Sequence, residues 1–244
     1  MGMSTQPIVG GGGSLDFGKG FQFVFEDPEW IKKVLVGGLF VLLSSVFVGL
    51  LFLGGYFLRL IQRAARGEPR PLPGWDDLGG ILTDGVKACG LYLIGTAVAA
   101  LVPLSLGCVL FVLGGGMSAL LGASRDLAGA AAGALVLGVV AFYVTVAAVA
   151  LVLLVFLPAA LLRLALTGRF GAGFEWREIL AFIARNPGNY ALSLLLYLLA
   201  SVVAQFGILL LCVGIFPAVF WSYCLLGWAL GETARRDPGT ALAP

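Results

Sequence analysis

"VLVGGLFVLLSSVFVGLLFLGGYFL", Val34–Leu58, runs for 25 residues without a charge, and its reading decides the fold. About 20 apolar residues suffice for one helical crossing of a bilayer, so the stretch is long enough to cross once. It can also fold back near Ser44–Gly49 as a short hairpin, thin enough to be re-entrant. Lys32 and Lys33 precede it and Arg59 and Arg63 follow it, and long basic side chains at such ends can reach the surface in either arrangement.

The rest of the chain sets the class. Hydrophobic residues make up 60% of it and charged residues 11%, with a mean hydropathy of +1.03. A soluble domain carries about 25% charged residues, so this chain lacks the polar surface to cover a globule. Ala88–Ser124, Leu127–Leu162 and Asn186–Gly231 are further charge-free runs, unlike the alternating segments of about ten residues in a β-barrel. The expected class is an all-α polytopic membrane protein.

Charge chooses between the two readings of the first run. With a hairpin there, 14 of the 15 basic residues share one side and only Arg125 lies opposite. A single crossing divides them 11 to 4. Basic residues gather on the cytoplasmic side, which favours the hairpin. About six membrane segments follow, as three hairpins, the first able to be re-entrant. Both termini are then cytoplasmic.

Two distant stretches look alike. "FGKGFQFVFEDPEW" (Phe17–Trp30) and "FGAGFEWREILAFIARNPGNY" (Phe170–Tyr190) share a leading FGxGF and a later Asp-Pro or Asn-Pro. "WDDLGGILTDGVKACGLYL", from Trp75, enters a span in the same manner. These mark three cassettes, at about 17–66, 75–167 and 170–232, each a short amphipathic interfacial helix before a hairpin. Residues 1–16 read as a flexible glycine-rich leader without signal-peptide character, 17–232 as one membrane domain and 233–244 as a flexible tail. In Phe174–Arg185 the apolar Phe174, Ile179, Phe182 and Ile183 fall near one helical face. Phe174 and Trp176 there, and Trp75, are candidate headgroup anchors. Gly114–Gly116 and Cys212–Pro217 divide the later apolar runs into spans.

"RGEPRPLPGWDDL" (Arg66–Leu78) is a charged island between apolar runs. Pro69, Pro71 and Pro73 enforce an extended path. Arg59, Arg63 and Arg66, spaced by four and three, form a basic stripe on the preceding helix. They can pair with Asp76, Asp77 or Asp84 or with lipid phosphates, and Asp76 and Asp77 suit the first turn of the next helix. Arg59, Arg63, Arg66, Trp75, Asp76, Asp77, Phe174 and Trp176 make up the candidate lipid or partner interface.

"LRLIQRAARGEPRPLPGWDDLGGILTDGVKA" resembles the signature region of a prokaryotic membrane family, domain-of-unknown-function family 4013. The likeness lies in a basic helix end, a Gly-acid stretch with alternate prolines ahead of an aromatic-Asp pair, and an acid-Gly-x-Lys entry to the next span. "LPAALLRLALTGRFGAGFEWREILAFIARNPGNY" is similar to its later segments. The resemblance covers most of Phe21–Gly231 and implies no particular activity.

Reactive chemistry has few candidates. Histidine is absent, which removes Ser-His and Cys-His catalysis. Cys89, Cys108, Cys212 and Cys224 are widely spaced within apolar runs and read as small buried hydrophobes. No phosphate loop is present, and a net charge of +2 argues for no nucleic-acid partner. Every Asp and Glu lies outside the span interiors, where ion coupling would need one, Asp84 and Glu232 coming closest beside helix ends. Gln205 is the one strongly polar side chain deep in a span and is a candidate interhelical contact. Gly129–Gly133, Gly114–Ser118–Gly122 and Gly227–Gly231 have the spacing of close helix contacts, within the chain or between copies. The expectation is a non-enzymatic membrane protein without cofactors: a scaffold, accessory subunit or membrane-organising factor that meets lipid, other membrane proteins or itself. The alternative is a permease or channel for an apolar or lipid-like solute.

Overall fold

A computed structural model describes residues 14–112, 125–209, 214–237 and 239. Among the described residues the chain is helical and contains no strand. Its helices are α1 (Phe17–Gln22), α2 (Trp30–Leu43), α3 (Val48–Ala65), α4 (Leu78–Phe111), α5 (Arg125–Thr167), α6 (Trp176–Arg185), α7 (Pro187–Gln205) and α8 (Ile215–Arg236).

The deciding stretch is folded back. A single 3₁₀ turn at Ser44–Val46 ends α2, and Phe47, at φ 63°, reverses the chain into α3. The Ser44 and Ser45 hydroxyls donate to the carbonyls of Val41, at 2.5 Å, and Leu42, at 2.9 Å. The turn's side chains therefore carry their own hydrogen bonds, as an apolar surrounding demands. Gly49 lets the arms close, because a Cβ there would collide with the Phe40 carbonyl. The Phe40 and Phe52 rings stack across the pair at 4.6 Å.

Among the described residues, five helices are long and apolar enough to cross a membrane: α3, α4, α5, α7 and α8. The 14 residues of α2 reach about 21 Å, short of the roughly 30 Å hydrocarbon core. The six expected segments thus become five such helices and one short arm. The interfacial helices also differ from expectation. Short helices precede the first and third hairpins, as α1 and α6, but α4 starts directly after the island. Three prolines and Gly74 keep that segment extended until Asp77 caps α4.

The described residues form two compact units, one running to Leu91 and resuming at Pro158, the other spanning Tyr92–Leu157. In the second unit α4 and α5 run antiparallel, with Gly107 against Phe142 and Gly138 against Leu110. Its outer side chains are apolar and exposed, among them Leu137, Tyr143 and Val144. The Thr96 and Thr145 hydroxyls donate to carbonyls one turn earlier, which leaves the surface of these helices apolar. The expected breaks at Gly114–Gly116 and Cys212–Val213, the Gly114–Ser118–Gly122 face and most of the leader and tail lie outside the described residues.

In the first unit α8 is the central helix, packed against α2, α3 and α7. Gly227 faces Phe57 and Leu60 of α3, and Gly231 faces Ile61 and Ala64, so this small-residue face serves contact within the chain. Helix α8 continues beyond residue 232 to Arg236, and Asp237 after it is buried. The aromatic segment around α1 packs inward: Phe23 stacks on Trp228 at 5.3 Å.

Polar ties collect the helix ends at one end of this unit. Lys33, near the start of α2, and Arg63, near the end of α3, both donate to the Leu72 carbonyl, at 3.1 and 3.2 Å. Arg185, ending α6, pairs with Asp237 after α8 at 3.1 Å. Arg236 of α8 donates to the Ser14 carbonyl, and the Leu15 amide donates to Asn189 at 3.1 Å.

Candidate functional site

The charged island is strapped over that end of the first unit. Helix α3 stops in a Schellman closure: Glu68 N–H donates to the Arg63 carbonyl at 3.1 Å and Gly67 N–H to Ala64 at 3.0 Å. Gly67 sits at φ 71°, the left-handed position that glycine takes without strain. The prolines then carry the chain past α2. Leu72 is buried, and its carbonyl takes the two cationic donors already described. Lys33 also pairs with the buried Asp27 at 2.7 Å, so this cation is neutralised where it is least hydrated.

Trp75 lies behind the strap, partly buried. Its indole N–H donates to the Lys33 carbonyl at 3.1 Å, and its ring stacks on Tyr56 at 4.5 Å and Phe40 at 4.8 Å. Asp77 then starts α4, accepting the Gly80 amide at 2.9 Å as an N-cap does. Its second oxygen pairs with Arg59 at 2.9 Å, and Arg59 reaches Asp84 through Nε at 3.1 Å. The Gly80 amide first, and the Arg59 guanidinium second, hold the Asp77 carboxyl below its ordinary value.

Helices α3 and α4 approach closely enough for this because Gly55 and Gly85 interlock. A Cβ on Gly55 would strike the Ile81 carbonyl, and one on Gly85 the Leu51 carbonyl. Above the crossing opens a cleft of about 400 Å³. Arg59, Gln62, Arg63 and Arg66 line its α3 side, and Pro73, Gly74, Asp76, Asp77 and Asp84 the other. The signs balance, three arginines against three aspartates.

Five of the eight candidate interface residues therefore share one cleft: Arg59, Arg63, Arg66, Asp76 and Asp77. Phe174 and Trp176 lie outside it, exposed at the 3₁₀ turn Phe170–Phe174 and the start of α6. The Arg177 guanidinium lies over the Trp176 ring, 5.2 Å from its centre. Helix α6 turns Ile179 and Phe182 inward. Arg163 and Arg169 converge on Glu175. Gln205 is the exposed last residue of α7, at a helix end rather than mid-span.

Gln62 and the Lys33–Asp27 pair were not anticipated. Gln62 lies one turn from Arg59 and Arg66 on the same stripe, which was a readable signal, and it donates to the Ala165 carbonyl at 2.8 Å. Asp27 stands beside Pro28 in an acidic segment, and nothing local reveals that it is buried.

The family model described as "Protein of unknown function (DUF4013)" matches residues 38–213. Comparison with curated proteins and with solved structures gives no match. The matched span takes in the fold-back from α2 to α3, the island and helices α4 to α7, and on that match the chain belongs to the DUF4013 family.

Proposed function

We propose that this chain is a non-enzymatic integral membrane protein of the prokaryotic cytoplasmic membrane, acting as a scaffold, accessory subunit or membrane-organising factor. In this reading the island, both termini and α6 face the cytoplasm, α4, α5, α7 and α8 cross the membrane, and α2 and α3 enter it together as a re-entrant hairpin. The observation that carries the reading is how the charges are used. Arg59 with Asp77 and Asp84, Lys33 with Asp27, Arg185 with Asp237, and Arg235 and Arg236 with Glu232 all tie helix ends or brace a terminal turn. Carboxylates spent in such pairs hold a shape. An ion-coupled carrier instead needs a carboxylate within the membrane that exchanges its proton or ion.

The exposed Phe170, Phe174, Trp176 and Leu180 beside Arg169 and Arg177 form an aromatic and basic edge of the kind that rests at headgroups. In proteoliposomes an imposed pH or sodium gradient should drive no protein-dependent flux. Gradient-driven uptake that Asp84→Asn or Glu232→Gln abolishes would overturn the scaffold reading in favour of a permease.

A further inference from the structure

We propose that the cleft between α3 and the island binds a phosphoethanolamine headgroup, that of phosphatidylethanolamine in the membrane. The proposal rests on the reading that this end of the first unit lies at headgroup level. Depth is the first argument. Helix α3 is free of charge from Val48 to Leu58 and meets its first cation at Arg59, and α4 is free of charge after Lys87. The cleft opens where both helices leave their apolar runs, the depth at which phosphates and amines lie.

Charge is the second argument. Three arginines facing three aspartates give a simple anion no net attraction, since it must approach the carboxylates as well. A ligand bearing both signs is matched at each end. Arg59 is already engaged by Asp77 and Asp84, so the available groups are Arg66 and Asp76. Arg66 is 65% exposed, and its nearest carboxylate, Glu68, is 3.9 Å away. Asp76 is exposed and forms no ion pair among the described residues. Guanidinium groups bind phosphate through paired N–H donors, and a carboxylate accepts from an ammonium carrying three N–H groups.

The cleft lining also distinguishes one headgroup amine from another. A quaternary ammonium has no N–H to donate and is held instead by aromatic faces. The lining contains carboxylates and no aromatic side chain, because Trp75 is turned onto Tyr56 and Phe40. A primary amine fits this lining, and choline does not.

The test uses the full chain purified in detergent and mixed with equimolar dioctanoyl phosphatidylethanolamine, phosphatidylcholine and phosphatidylglycerol, with bound lipid read by native mass spectrometry. Phosphatidylethanolamine should be retained about tenfold over the other two, the scale of one charge-assisted hydrogen bond. Asp76→Asn should lower its retention to that of phosphatidylcholine, and Arg66→Gln should weaken every phosphate-bearing lipid. Soluble glycerophosphoethanolamine should compete weakly. If it competes as well as the lipid, the recognised chemistry stands and a soluble ester is its source. Equal retention of all three lipids by the unaltered chain would overturn the proposal, as would an unchanged preference in Asp76→Asn. A flat lipid preference leaves the flux result untouched, so this assignment and the scaffold reading can fail separately.

Discussion

Asp77 shows how much one residue holds. It caps α4 and anchors Arg59, and both bonds favour its ionised form. Its folded value lies below the ordinary 3.8, so its stabilising contribution is fully present above about pH 4. That contribution is lost as pH falls through the folded value. Thermal unfolding of the unaltered chain and of Asp77→Ala should therefore differ at neutral pH, with the unaltered chain higher, and the gap should narrow in acid. A gap that stays constant from pH 7 to pH 2 would show that neither bond depends on the charge. The site was legible at this scale wherever local spacing decides it. Arg59, Arg63 and Arg66 had to share a stripe, and Asp76-Asp77 had to open a helix. Trp75 was not placed this way, because an extended proline segment has no periodicity to say which helices its next aromatic will cover. The Lys33–Asp27 pair was hidden for a related reason: its environment is made by Leu72, distant in sequence.

The helical elements were legible from charge-free length, and their junctions less so. A fold-back of Val34–Leu58 would ordinarily be announced by a glycine or proline in the turn. Here Phe47 takes the left-handed conformation, at a cost of about 1–2 kcal/mol for a residue with a Cβ. Phe47 is 72% exposed, so substitutions there act mainly through the backbone. Phe47→Val should destabilise the protein by about 1 kcal/mol, because β-branching is still less compatible with positive φ, while Phe47→Gly should not destabilise it. If Phe47→Gly proves the more damaging of the two, the turn does not have this shape. The crossing of α3 and α4 makes a second demand. Gly85→Leu forces the two backbones apart and should cost about 3 kcal/mol, seen as a large fall in Tm. A tolerated leucine would mean the helices do not interlock at Gly55 and Gly85. These glycines were visible in the sequence, but close approach is a property of two elements, and neither segment alone reveals it.

At the scale of the whole molecule, the account's central claim is that the first apolar run turns back and leaves the charges on one side. The charge asymmetry along the chain supported that arrangement before any geometry, because 14 basic residues against one is a sharper division than 11 against four. The short α2 supplies the physical form: an arm of 14 residues too short to cross, held to α3 at its charged end by the Leu72 carbonyl. The number of crossing segments was less legible, since length and hydropathy do not distinguish a span from half of a hairpin. The most direct measurement is single-cysteine labelling of Lys19→Cys, Arg70→Cys and Arg125→Cys, each in a chain whose four native cysteines are replaced. Lys19 and Arg70 flank the first run, and a membrane-impermeant maleimide reads their sides independently. Positions 19 and 70 should be labelled only from the cytoplasmic side and position 125 only from outside. Labelling of positions 19 and 70 from opposite sides would mean that Val34–Leu58 crosses once, and would contradict it.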